Sequence, residues 1–218
     1  MRRAGFKRET AEKMIRQAAV HMIAEHGFRA ASLRKVAEEV GIQAGSLYNY
    51  IKSKDDFLFN LLKEHLELML ADLERANSKS ASVVERLKKF IELHIRFHTE
   101  QKEEVIIGNL ELRSLSGKNR RIITELRDRY STFLTELIKE GVKKRLFVSE
   151  DPRVTTFAIL SMLSGVANWY EEGGRLTQAR IVDLHLKMAF RLLGVDDVSL
   201  KELADAPEKP VRVRSEAL

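Results

Sequence analysis

The sequence predicts an all-α protein with a small basic head and a larger helical body, and three observations carry that prediction. Eleven glycines and three prolines in 218 residues, with long runs of Glu, Lys, Leu, Ala and Arg, favour helix throughout. No segment alternates apolar and polar residues between turn signals, as a half-buried strand would. The charge is asymmetric: residues 1–54 hold eleven Lys or Arg against five Asp or Glu, whereas residues 55–218 hold 27 of each. The whole excess of +6 therefore sits in the first quarter of the chain, as expected of a head that binds a polyanion. A membrane surface is the competing polyanion, but the head lacks the continuous basic helix with an aromatic face that lies in an interface. No apolar run approaches the roughly 20 residues that span a bilayer, and the start MRRAGFKRET has no apolar stretch behind its charges. A soluble, unexported, cytoplasmic protein is expected, with no membrane partner. Without cysteine there is neither a disulfide framework nor a thiolate metal site or nucleophile.

Residues 11–26 place Ala11, Met14, Ile15, Ala18, Ala19, Met22 and Ile23 on one helix face, and Gly27 supplies the stop. Ser32 can cap a second helix whose inner stripe is Leu33, Val36, Ala37 and Val40, leaving Arg34, Lys35, Glu38 and Glu39 outside. Gly41 ends it after about two turns. A third helix from Ala44 to Ile51 turns Leu47 and Ile51 inward beside Ile42. A helix, a tight turn and a helix is the geometry that inserts its second member into the major groove. In the stretch GIQAGSLYNYIKSK, Gln43, Ala44, Ser46, Tyr48, Asn49 and Tyr50 then line the free surface of that third helix. Gly45 has no side chain to hold a sugar-phosphate strand away. Hydroxyls and free N–H groups at a helix start suit phosphate oxygens, and Gln43 or Asn49 can make the paired hydrogen bonds that adenine presents. Lys52 and Lys54 add charge beyond the helix end. The candidate DNA-facing set is Ser32, Arg34, Gln43, Ala44, Gly45, Ser46, Tyr48, Asn49, Tyr50 and Lys54. The basic arm MRRAGFKR before the first helix is either a minor-groove contact or a solubilising terminus.

The body begins with a helix from Ser53 or Asp55 to Ala76, carrying Phe57, Leu58, Leu61, Leu62, His65, Leu66, Met69 and Leu73 at helical spacing until the serine-rich ANSKSAS breaks it. Helices over 81–99, 102–115, 119–144, 152–171 and 177–193 follow, with breaks at Gly117, at Asp151-Pro152 and at Gly173-Gly174. The segment FAILSMLSGVANWY is apolar or small on every side and so must be covered on more than one. One side can meet the interior and the other a partner chain, with Ala158, Ser161 and Gly165, and Leu184 and Met188 of RIVDLHLKMAFRLL, allowing close helix packing. Three divisions follow: a helix-turn-helix domain over 1–54, a larger helical domain over 55–195 with a side that can meet a partner chain, and a charged tail over 196–218.

The stretch from Ala11 to Leu58 resembles the amino-terminal DNA-binding domain of the TetR family of transcriptional regulators. The likeness rests on Gly27-Phe28, Ser32, Val36-Ala37, Gly41-Ile42, Gly45-Ser46-Leu47-Tyr48, Tyr50 and Ser53-Lys54, all in register. It departs at Gln43, where the family often has a small hydroxylated residue, and at Ile51, which replaces a usual phenylalanine. The resemblance implies a homodimer whose two recognition helices enter half-sites of a palindromic operator, a dimer interface made by the last two helices, and an effector pocket among the central ones. Candidates for the pocket are His94, Phe97, His98, Asn109, Arg113, Asn168 and Trp169. The stretch NLELRSLSGKNRRIITELRDRYSTFLTELIKEG is more loosely similar to the subset of the family that responds to acyl-coenzyme A, through Glu111, Arg113, Leu115, Arg127, Asp128, Tyr130 and Gly141. A small hydrophobic effector of acyl-CoA type is therefore expected, although the four charged residues of that match could equally be an internal ion-pair network.

The rival from another class is an all-α enzyme or small-molecule binder whose basic head does not read DNA specifically. It would need convergent acid, base or nucleophile groups, and none occurs at telling spacing. No P-loop, dinucleotide fingerprint, nucleophile elbow or zinc-protease motif is present, and no cofactor is implied. His94 and His98 stand four apart as a metal pair would, without an evident third ligand. Non-specific DNA packaging would differ in showing little preference for an operator over random DNA.

Overall fold

Glycine at positive φ, hydroxyl and carboxylate caps, and one Asp-Pro pair set the helix boundaries of this chain. The computed structural model describes residues 8–76 and 81–195, so the arm before Arg8, the centre of ANSKSAS and the tail over 196–218 lie outside the described residues. Among the described residues every regular element is helical: α1 (Arg8–His26), α2 (Leu33–Glu39), α3 (Ala44–Leu47), α4 (Lys54–Ala76), α5 (Val83–Glu100), α6 (Lys102–Leu110), a 3₁₀ turn (Leu112–Ser114), α7 (Gly117–Lys143), α8 (Pro152–Ser164), α9 (Val166–Trp169) and α10 (Gln178–Leu192). They form two compact units. The first takes the described residues up to Leu66 together with Gln101–Glu125, and the second takes Glu67–Glu100 and the described residues from Leu126 onward. Helices α4 and α7 each belong in part to both.

In the first unit, α1 buries Ile15, Ala18, Ala19, Met22 and Ile23 as its spacing predicts, and Val20 as well, while Met14 is turned outward. Gly27 ends α1 at φ +80° and Gly41 follows α2 at φ +72°, a conformation that costs an L side chain roughly 1–2 kcal/mol. Val36 and Ala37 of α2 and Leu47 of α3 form the small inner core, with Phe28, Ala31 and Ile51 closing it. Ser53 starts α4 through a reciprocal cap: its Oγ accepts from the Asp56 amide at 3.0 Å and donates to the Asp56 carboxylate at 2.9 Å.

In the second unit α5 is buried on most of its surface, from Val83 through Phe90 and His94 to Thr99, and is packed by α8, α9 and α10. It opens with another reciprocal cap, Ser82 with Glu85. Asp151 caps α8 by accepting from the Arg153 and Val154 amides at 2.8 and 3.1 Å, with Pro152 at the first helical position.

Four boundaries differ from expectation. The third helix stops at Leu47 rather than Ile51, because the next amides bond three residues back: Asn49 to Ser46 and Tyr50 to Leu47. Tyr, Asn and Ile are mediocre helix formers, so the chain tightens into a turn that still delivers Ile51 to the core. The helix expected over 102–115 ends at Leu110 and is followed by a separate 3₁₀ turn. The helix expected over 152–171 is interrupted at Gly165. Gly117 is the first residue of α7 rather than a break before it.

Candidate nucleic-acid interface and effector residues

The surface of α3 is open. Gln43, Ala44, Gly45, Ser46, Asn49 and Tyr50 are exposed, and Tyr48 is 59% exposed while Leu47 next to it is 1% exposed. One helical turn thus holds its apolar residue down and presents hydroxyl, amide and backbone groups outward, and a Cβ added at Gly45 would meet nothing within 4 Å. Ser32 stands at the N-cap of α2 in extended conformation, but its hydroxyl makes no capping bond. Arg34 forms only a surface pair with Glu38 at 3.3 Å. Lys54 is engaged elsewhere: its ammonium donates to the carbonyls of Arg29 at 3.1 Å and Ala31 at 2.9 Å and lies 4.7 Å from the centre of the Phe28 ring. It ties down the loop between α1 and α2, a contact that sequence spacing does not signal.

The effector candidates divide between the units. Asn109 and Arg113 are exposed residues of the first. In the second, His94, Phe97 and His98 are buried on α5, whereas Asn168 and Trp169 are exposed on α9. His94 forms the centre of a buried polar chain, with Nδ1 2.9 Å from the Tyr130 hydroxyl and Nε2 3.1 Å from Ser164 Oγ. His98 donates from Nδ1 to the His94 carbonyl at 2.8 Å, and the two rings stack at 3.9 Å. Phe90 and Phe133 complete the aromatic wall, and burial pushes the Tyr130 hydroxyl well above the ordinary phenol range. Tyr130 is one of the residues of the acyl-CoA-type resemblance, whereas Ser164, brought to His94 from α8, is not signalled by the sequence. Among the described residues no group of three His, Cys, Asp or Glu is arranged to hold a metal ion, and no helix is long and apolar enough to cross a membrane.

Trp169 is 52% exposed and stacks on the ring of His185 from α10. On α8 and α10, Ala158 and Ser161 are exposed, Gly165 and Leu184 are half-buried, and Val154, Phe157, Met188 and Leu192 leave large apolar surface open.

Residues 15–61 match the family described as bacterial regulatory proteins, tetR family, and residues 80–193 match the tetracyclin repressor-like C-terminal domain. The chain is 30% identical over 126 residues, 58% of its length, to the fatty acid metabolism regulator protein of Bacillus subtilis (strain 168), and spans 65% of that relative. It is 25% identical over 170 residues, 77% of its length and 85% of the relative's, to the HTH-type transcriptional repressor KstR2 of Mycobacterium tuberculosis (strain ATCC 25618 / H37Rv). Among solved structures, AibR in complex with isovaleryl coenzyme A and operator DNA aligns at a TM-score of 0.73 and 28% identity, covering 82% of this chain and 97% of that one.

Proposed function

Because the chain belongs to the TetR family of DNA-binding transcriptional regulators, we propose that it is a dimeric repressor of a palindromic operator, released by a small hydrophobic effector of acyl-CoA type. The observation that carries the DNA part is α3, one turn whose Leu47 is buried while Gln43, Ser46 and Tyr48 stand free. Ser32, Ser46, Tyr48 and the amides at the start of α3 serve phosphate oxygens, and Gln43 and Asn49 serve base edges. The exposed apolar face of α8 and α10 is the dimer face, centred on Phe157, Ala158, Ser161, Leu184 and Met188. The acyl-CoA assignment is supported by the name of the Bacillus subtilis relative and by the isovaleryl coenzyme A of the AibR complex.

Occupancy shifts α4, which belongs in part to both units, and with it the separation of the two reading helices. A coupling of about 1–3 kcal/mol weakens operator binding about 5- to 150-fold, which is enough for release. The test begins with selection of an operator from random DNA, followed by titration with acyl-CoA esters of increasing chain length against free coenzyme A. Tyr48→Phe should weaken binding across many sequences, and Gln43→Ala should change which sequence is preferred. If neither substitution touches operator affinity, the docking of α3 is wrong.

A further inference from the structure

The first two helices of the head end in different ways. After α2 the chain closes on itself: the Gly41 amide donates to the Glu38 carbonyl at 3.2 Å and the Ile42 amide to the Ala37 carbonyl at 2.9 Å, the two bonds of a Schellman stop. After α1 the Gly27 amide instead bonds four residues back, to the Ile23 carbonyl at 2.9 Å, the single bond of an αL stop. The next amide, that of Phe28, donates to Glu111 Oε1 at 3.0 Å. Phe28 is buried, so its N–H needs a partner, and Glu111 supplies it. The amide that a Schellman stop would return to its own helix is therefore held by a residue 83 positions away.

Glu111 is held for that task. It lies between α6 and the 3₁₀ turn, its own amide bonds to the Ile107 carbonyl at 2.8 Å, and its second carboxylate oxygen accepts from the Ser114 hydroxyl at 2.7 Å. Burial acts to raise its pKa, but the Phe28 amide, the Ser114 hydroxyl and the guanidinium groups of Arg113 and Arg29 outweigh that and hold the carboxyl below its ordinary value. Residues 27–32, the loop that delivers α2, are thus fastened by the Glu111 carboxylate at Phe28 and by the Lys54 ammonium at Arg29 and Ala31.

We propose that Glu111 is a positioning residue for operator binding, fixing the exit of α1 and with it the placement of α2 and α3. The 3₁₀ turn that begins beside it carries Arg113, so a ligand engaging that turn draws on the Phe28 amide. That last clause rests on the effector assignment made above.

The test compares Glu111→Ala and Glu111→Gln in the full chain, reading affinity for the selected operator, affinity for random DNA, and amide hydrogen exchange. Glu111→Ala should weaken operator binding about tenfold while random-DNA affinity stays within about twofold. Exchange should quicken at Phe28 and through α2 and α3 but not in α5 or α8. Glu111→Gln keeps an oxygen acceptor for the Phe28 amide and should remain within about twofold of the parent on the operator. If Glu111→Ala does not fold, Glu111→Asp, one methylene short, takes its place with the same expectations. The proposal is overturned if the alanine variant loses only thermal stability, if it loses operator and random DNA equally, or if the glutamine variant is as impaired as the alanine one. In a final arm acyl-CoA should no longer shift the operator affinity of Glu111→Ala. A parent protein that ignores every thioester would overturn the effector assignment and the Arg113 clause, while the DNA and exchange results still decide the positioning role.

Discussion

Lys54 sits where a phosphate contact is expected, yet its ammonium is bonded to two loop carbonyls, and the two roles predict different salt behaviour. Lys54→Met keeps most of the aliphatic stem and removes the charge. It deletes hydrogen bonds of 3.1 and 2.9 Å and a cation–π contact at 4.7 Å. Hydrogen bonds from charged donors contribute about 1.5–3 kcal/mol each when buried and less when half-exposed, and the ring contact about 0.5–1 kcal/mol. A loss of ~2 kcal/mol of stability is therefore expected, read as the urea midpoint at fixed protein concentration. If binding must re-order the loop, operator affinity falls by up to about 30-fold at every salt concentration. The slope of log K against log salt should stay the same, because no phosphate contact is removed. A slope reduced by about 0.9 per head, with an unchanged urea midpoint, would refute the loop-fastening role and restore Lys54 as a phosphate contact.

Three further outcomes are expected. Gly141 lies under the Phe147 ring so closely that an added Cβ would overlap it; Gly141→Ala should cost about 1–3 kcal/mol by overpacking, and an unchanged thermal midpoint would contradict that packing. Glu140 is raised by burial but lowered more by its bonds to Lys144 and Arg86, so its folded pKa is depressed. Its contribution is present above the unfolded carboxyl pKa and is lost as pH falls through the folded value; Glu140→Gln should flatten the acid limb of a stability-against-pH curve, and an unaltered limb would refute this. Trp169, the single tryptophan, is half-exposed beside the apolar face of α10, so its emission should move to the blue as protein concentration rises through dimer formation. Phe157→Glu should abolish both that shift and operator binding; a monomeric variant that still bound the palindrome would count against the proposed interface.

Local signals in the sequence were sufficient for much of the fold. Gly27 and Gly41 mark positive-φ stops, and Ser53 and Asp151-Pro152 start helices with the bonds their residue types allow. The inward turn of Leu47 and Ile51 was also legible, since the Ile51 amide bonds to the Leu47 carbonyl four residues back as it would in an α-helix, although α3 has already ended. For the same reason the true end of α3 was not: the pattern fits either geometry. What escaped entirely are bonds between distant residues. Glu111 reads as part of a charged cluster, Lys54 as a DNA-facing cation and Tyr130 as part of an effector-type match, until partners 83, 23 and 36 positions away are brought to them. Charge and spacing identify what a residue can do, and only the packed chain fixes which of its possible partners it takes.

A reading helix of four residues has a consequence for the rest of the molecule. Each well-made bidentate contact to a base discriminates by about 1–3 kcal/mol, and Gln43 and Asn49 are the two side chains on the open surface of this turn able to make one. One head thus reaches at most about 2–6 kcal/mol, against the roughly 4–10 kcal/mol that separates specific from non-specific binding in typical regulators. Two heads on a symmetric site double the discrimination, provided that they are joined firmly enough for the second contact to be intramolecular. An isologous interface places the same patch of each chain against itself, and Phe157 and Met188 on neighbouring helices α8 and α10 supply exposed apolar surface for one. On the proposed reading, the brevity of α3 and the apolar face of the second unit are linked requirements: without pairing through that face, so short a reading element would recognise DNA mainly by its phosphate charge.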